Sequence, residues 1–168
     1  MRQHRTQADF QVFLKREAAV LDSSSDADTA DRILNHLRIA TEDLEDARHA
    51  VKVNHTSSAL NNMEEAMMIC GEVIAWAHGY KLREDPTGFH ARAIECLVLY
   101  TEVFNPKLAI YARRFQSLRA ARRAMKYDRV PPGEGQLKQF MVAADTFFDQ
   151  FSSVPPQILA RRQARQSR

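Results

Sequence analysis

Apolar residues recur along the chain at three- and four-residue spacing, in blocks separated by polar, glycine- or proline-containing stretches. That period is the signature of amphipathic helices. Phe10, Phe13, Leu14, Glu17 and Leu21 open the pattern and predict a first helix, ended by the polar run 22–28, whose serines and aspartates can also cap the next helix. Residues 29–53 carry Ile33, Leu37, Ala40, Leu44, Ala47 and Val51 on one face and predict a long second helix. In the third, Leu60, Met63, Met67, Cys70, Ile74 and Ala77 form one stripe; Ser57 or Ser58 can cap its start and Gly79 can supply a left-handed stop. A connection over 80–88 holds Pro86 and Gly88, and a fourth helix comes after it with Ala93, Ile94, Leu97, Val98, Thr101 and Phe104. Asn105-Pro106 breaks it, and Pro106 suits the first turn of a fifth helix over 107–126, with Leu108, Tyr111, Phe115, Leu118 and Met125 in register.

After the loop 128–135, a sixth helix presents Leu137, Phe140, Met141, Ala144, Phe147, Phe148 and Phe151 before Pro155-Pro156. The basic tail 157–168 has little apolar content, which predicts a frayed end. No segment alternates with period two for long enough to predict a strand, and no internal repeat is visible. The expected fold is all-α: an antiparallel four-helix bundle core over about 29–151, with extra N- and C-terminal helices, in one domain spanning 1–168.

Composition agrees with that reading. The chain has 168 residues, enough for a core without disulfide or metal staples, and its five glycines argue against a turn-rich β fold. Cys70 and Cys96 both fall within apolar helical patterns and are expected to be reduced core residues. The N-terminus has no continuous apolar run of the signal-peptide kind, and no later run is long enough to span a bilayer, so the expected compartment is the cytoplasm.

Charge changes the picture more. Between residues 107 and 129 there are eight basic residues and one acidic, Asp128, whereas residues 22–46 carry eight acidic residues against Arg32 and Arg38. One helix is a cationic face and another an anionic one. The carboxylates Glu42, Asp43, Glu45 and Asp46 read as a solvated helix face and not as an acid/base pair. A phosphate-binding glycine loop, HExxH, CxxC and GxSxG are all absent. No two of the six histidines lie at i, i+4, so neither a metal nor another cofactor is expected.

The stretch "SLRAARRAMKYD", residues 117–128, holds the sharpest candidate chemistry. At about 100° per residue, Arg122 falls between Leu118 and Met125 on the apolar stripe, while Arg119, Arg123 and Tyr127 project from one flank. An unpaired buried guanidinium is prohibitive, so Arg122 needs a partner. One reading is an ion pair with a carboxylate of the long second helix, or snorkelling along the stripe. The other is an anion-facing cleft in which Arg122 binds phosphate and Tyr127 supplies a hydroxyl. A helix with this many cations favours a polyanion, through counterion release at each phosphate contact.

The order of pieces "ATEDLEDARHAV", "SSALNNMEEAMMICGEVIAWAHGYKL", "GFHARAIECL" and "LRAARRAMKYD" resembles the HEPN domain. This is a small helical bundle found in toxin–antitoxin, phage-defence and other RNA-targeting systems. Most similar are members with Gly-Tyr after the second core helix, a His opening the third and Arg-Asn-x-x-x-Tyr-Asp ending the fourth. Those features fall here on Gly79-Tyr80, His90 and the run from Arg122 to Asp128. In nuclease members an Arg followed a few residues later by a His forms a metal-independent RNase centre, usually shared across a homodimer, in which a 2'-hydroxyl attacks the adjacent phosphate. Arg122 matches the Arg, Arg123 replaces the Asn, and Tyr127 stands where the His falls. Phenols titrate near pH ~10 and are poor general bases at neutral pH.

The resemblance therefore implies a degenerate member that binds RNA or a phosphorylated ligand through Arg119, Arg122, Arg123, Lys126, Tyr127 and Asp128, with weak or absent cleavage. A second reading is a non-catalytic bundle whose charged faces dock a protein, such as a minimal nucleotidyltransferase antitoxin. A third is a true nuclease in which His90 serves Arg122 across the cleft between the third and fourth core helices.

Overall fold

The computed structural model describes residues 5–21, 26–84 and 88–166. The capping residues expected at 22–25, Pro86 in the connection after the third helix, and the chain ends 1–4 and 167–168 lie outside the described residues. The fold is an all-α bundle with seven α-helices among the described residues: α1 (Gln7–Glu17), α2 (Asp26–Lys52), α3 (Thr56–Ala77), α4 (Phe89–Phe104), α5 (Pro106–Arg123), α6 (Glu134–Phe151) and α7 (Val154–Gln166). The stripes read from the sequence face the interior, except that Phe104, at the end of the fourth, is exposed. Ile33, Ala40, Leu44 and Ala47 of α2, Leu60 through Ala77 of α3, and Leu137 through Phe151 of α6 belong to one continuous core. α3 is its hub, packing against α2, α4, α5, α6 and α7, and it buries residues on nearly every side.

Several local outcomes differ from expectation for identifiable reasons. α1 starts with a capping box: Thr6 Oγ1 accepts from the Asp9 backbone N–H at 3.3 Å, and the Asp9 carboxylate accepts from the Thr6 N–H at 2.7 Å. It ends at Glu17 and not at Leu21, because Ala18–Val20 (β1) pairs antiparallel with Tyr80–Leu82 (β2), Ala18 opposite Leu82. Strands of three residues are too short to leave a period-two signal. α3 begins one residue earlier than Ser57, with His55 as its N-cap and no side-chain cap. Gly79 takes the left-handed conformation, φ 87°, and its N–H donates to the Trp76 carbonyl at 2.8 Å.

Two corrections concern the ends. The core extends beyond 29–151, since Phe10, Phe13 and Leu14 of α1 are buried in it. The tail expected to fray over 157–168 is helical to Gln166: Leu159 and Pro155 are buried, Val154 and Ile158 pack on the core, and the Arg162 guanidinium donates to the Trp76 carbonyl at 3.3 Å. A few well-placed apolar residues and a cation on the C-terminal end of α3 suffice to dock a segment that composition alone marks as basic tail.

One carboxylate of α3 sits in this bundle at a cost. Burial, and then the charge of Glu84, push the Glu72 carboxyl up to about 7, against the opposing pull of Lys81. A carboxyl whose folded value is raised binds its proton better in the native state, so its contribution is fully present below the unfolded value and is lost as pH rises toward 7. Glu72→Gln is therefore expected to stabilise the fold at pH 8 by about 1 kcal/mol, roughly 2–4 °C in Tm after allowance for partial exposure, with little change at pH 4.5. Thermal melts of both proteins at the two pH values test this.

Candidate functional site at the C-terminal end of α5

α5 starts with Pro106 in its first turn, where a missing N–H is harmless. Its buried positions Leu108, Ala112, Phe115 and Leu118 define an inner face. Continuing that face by helical steps, Arg119 lies four residues beyond Phe115, and Arg122 four beyond Leu118, so both guanidinium groups are carried toward the core. Beyond Arg123 the helix widens into a π-helical turn, Ala124–Asp128, closed by Arg129 in the left-handed conformation at φ 57°. Such single-turn widenings re-aim side chains and recur at functional sites.

The partner of Arg122 comes from α3 and not from the acidic second helix. Glu64 follows Met63 and precedes Met67 by three, which places it on the core stripe, where its side chain is 1 % exposed. Its Oε2 accepts from Arg122 Nη1 at 3.0 Å, while Oε1 lies 3.7 Å from Arg119 Nε and 3.7 Å from His90 Nδ1. Arg122 Nε also donates to the Asn61 side-chain carbonyl at 2.5 Å. Asn61 and Glu64 stand three apart on α3, so one helix face holds both acceptors. Two guanidinium groups thus share one buried carboxylate, and the imidazole of His90 approaches the same oxygen as Arg119.

Beside the cluster is a cleft of about 280 Å³ lined by Ser57, Leu60, Asn61, Arg122, Met125 and Lys126. A hydroxyl, an amide, an ammonium and a guanidinium on an apolar floor form a donor-rich surface suited to an oxyanion. Lys126 borders it, and the exposed Arg123 and Arg129 on the same stretch of chain add to the local positive charge.

The residues singled out from the sequence divide accordingly. Arg119, Arg122 and His90 are brought together around Glu64, and Lys126 borders the cleft. Arg123 faces the neighbouring groove between α4 and α5, with Arg119, Ile94 and Val98. Tyr127 is not brought into the cluster: its ring is 68 % exposed on the π-helical turn, with the Lys126 ammonium 5.4 Å above it, and Asp128 is exposed beside it. The expectation that the Tyr127 hydroxyl completes an anion cleft at Arg122 is corrected, because the widened turn swings that position outward.

Glu64 and Asn61 escape a reading of the sequence in which "NNMEEAMMIC" is methionine-rich core. The signal is present all the same, since a carboxylate within the stripe Leu60, Met63, Met67 raises the same question as an arginine within the stripe of α5. Arg48, which with His55 repeats the Arg-to-His spacing of the motif, is instead tied to Asp145 of α6 at 3.0 Å. Among the described residues, no group of three or more His, Cys, Asp or Glu is placed to hold a metal, and no helix is long and apolar enough to cross a membrane.

Compared with protein-family models, with curated proteins and with solved structures, the chain gives no match. The HEPN resemblance thus rests on the residues that carry it.

Proposed function

We propose that this chain is a HEPN-like, cytoplasmic RNA-binding module of toxin–antitoxin or defence type, which holds phosphodiester oxygens at Arg122 and along the cationic end of α5 and cleaves weakly or not at all. The observation that carries this reading is the sharing of Glu64 by Arg119 and Arg122. Glu102 is also shared by two arginines, Arg5 and Arg113, but it is 17 % exposed, whereas Glu64 is buried at 1 %. At Glu64 a second guanidinium leaves the buried cluster with a net positive charge between two openings, the donor-lined cleft with Arg122 and Lys126 and the α4–α5 groove with Arg119 and Arg123. Binding by such a surface is electrostatic and tolerant of sequence.

The low expectation for cleavage follows from the outward position of Tyr127. His90 is the better-placed general base, because its ring is within reach of the carboxylate that also anchors Arg122. A homodimer is part of the proposal, formed over the shallow α4–α5 groove lined by Ile94, Val98 and Leu99, which would bring two Arg119–Arg122 clusters side by side.

The test is retention of single-stranded RNA and of total tRNA on a gel in EDTA, with Arg122→Ala and His90→Ala alongside. Arg122→Ala is expected to weaken retention about tenfold and to reduce the slope of log K against log salt by about 0.7, the share of one phosphate contact on a single strand. Retention independent of Arg122 overturns the reading, and no retention of RNA at all favours a protein-docking bundle. Cleavage abolished by both variants makes the chain a nuclease served by His90.

A further inference from the structure

A larger hollow lies elsewhere, where α1, α4 and α7 meet the C-terminal end of α3. It has a volume of about 460 Å³, and its walls include Gln7, His78, Tyr100, Phe104, Arg161 and Arg165. That volume falls within the ~300–1,000 Å³ usual for small-molecule sites. It shares no lining residue with the cleft at Arg122.

One wall is aromatic. Tyr100 and Phe104 lie with centroids 5.1 Å apart and planes at 31°, and His78 lies 5.9 Å from Phe104 at 30° but edge-on to Tyr100 at 61°, so Phe104 is the ring toward which both neighbours are only tilted. Phe104 is 39 % exposed, a large apolar face left open where the sequence stripe predicted a core position. Burial, and then the charge of Arg162, push the His78 imidazole down to about 4, which keeps the ring neutral at pH 7. Its Nε2 is buried without a hydrogen-bond partner. A neutral, planar, polar ring is suited to contact a nucleobase and not an anion.

The other wall is cationic. Arg161 and Arg165 stand four apart on one face of α7, and the charge of Arg161 is felt at the Tyr100 phenol. Arg162 is held by the Trp76 carbonyl, and its Nη1 passes so close to Gly79 that a Cβ there would lie 2.6 Å away. Glycine at this position therefore allows the arginine to cross the end of α3. Among the described residues, no acidic side chain lines the hollow.

We infer that this hollow is a second binding site, for a nucleoside phosphate, with the base against the open face of Phe104 beside His78 and the phosphate between Arg161 and Arg165. Aromatic surface and guanidinium pairs together recognise the two halves of such a ligand, stacking on the base and bidentate donation to the phosphate.

Titration calorimetry on the full chain with ADP, GDP, CDP and UDP tests it, with inorganic pyrophosphate as the ligand lacking a base. At least one nucleotide is expected to bind and pyrophosphate to bind at least tenfold more weakly. Phe104→Leu, which keeps apolar bulk and removes the π face, is expected to weaken binding about tenfold. Arg161→Glu with Arg165→Glu, both exposed and harmless to the core, is expected to abolish it, whereas Arg122→Ala leaves it unchanged. The inference is overturned if no nucleotide binds, if pyrophosphate binds as tightly, or if the charge-reversed protein retains its affinity while remaining folded by circular dichroism. It is equally overturned if charge reversal removes RNA retention and leaves nucleotide binding intact, since the arginines would then belong to the RNA surface.

Discussion

Gly71→Ala is expected to destabilise the bundle by about 3 kcal/mol or more, a large share of the ~5–15 kcal/mol that holds a domain folded. Gly71 sits in the middle of α3 where that helix crosses α4, and a Cβ built on it would overlap the carbonyl oxygen of Ala93 and lie 2.5 Å from its carbonyl carbon. The obstruction is backbone, with no flexible side-chain end to turn aside, so α3 and α4 must separate. Separation opens gaps around Met67, Ile74, Ile94 and Leu97, all fully or nearly fully buried. In an exposed helix the same substitution stabilises by up to about 1 kcal/mol, because alanine is the better helix former, so the sign itself separates the two situations. Urea denaturation with circular dichroism reads the difference; a midpoint equal to or above that of the parent protein shows that the two helices are not in backbone contact at Gly71.

Gly71 also illustrates what a sequence shows and what it conceals. The helices were legible because burial is decided by period: Leu60, Met63, Met67, Cys70, Ile74 and Ala77 repeat at helical spacing whatever they pack against. A glycine inside such a stripe does not say which neighbour needs the space, since that depends on the crossing of two helices. The same limit governs the site. Arg122 stood out because a charge on an apolar stripe must find a partner, yet whether that partner lay on the second or third helix depended on which faces meet.

Glu64 carried an equal signal, masked by the methionines around it. Tyr127 was misplaced because the wider π-helical turn shifts every later position, and nothing in "AMKYD" announces it. α7 was missed because the arginines of 157–168 dominate its composition, while the few apolar residues that dock it, Val154, Ile158 and Leu159, are too short a run to stand out.

Glu64→Gln is expected to lower stability by about 2–3 kcal/mol and, at the same time, to tighten RNA binding. The stability loss follows from geometry. Both carboxylate oxygens face donors, Arg122 Nη1 on one side and Arg119 with His90 on the other, so the amide –NH2 must oppose one of them whichever way it is turned. Removing one partner of a buried pair costs about 3–5 kcal/mol when the remaining charge is trapped. Here the side chains of Arg119 and Arg122 are 32 % and 25 % exposed and can turn partly toward water, which reduces the loss. The double variant Glu64→Gln with Arg122→Gln should recover part of it, and the non-additive share, about 2 kcal/mol in a double-mutant cycle, measures the pair itself.

The gain in binding comes from competition. In the parent protein Glu64 occupies donors that a phosphate would use, and its removal makes the cluster one unit more positive. The slope of log K against log salt on single-stranded RNA should steepen by about 0.7, the counterpart of the flattening expected for Arg122→Ala. Binding must be read below the lowered Tm, which melts of the same samples define. If stability falls and the salt slope does not move, the guanidinium groups reach no phosphate and the Glu64 cluster is a tie between α3 and α5 alone. Opposite changes of slope in the two variants, at matched folding, place the same arginine in contact with the carboxylate when RNA is absent and with the nucleic acid when it is bound.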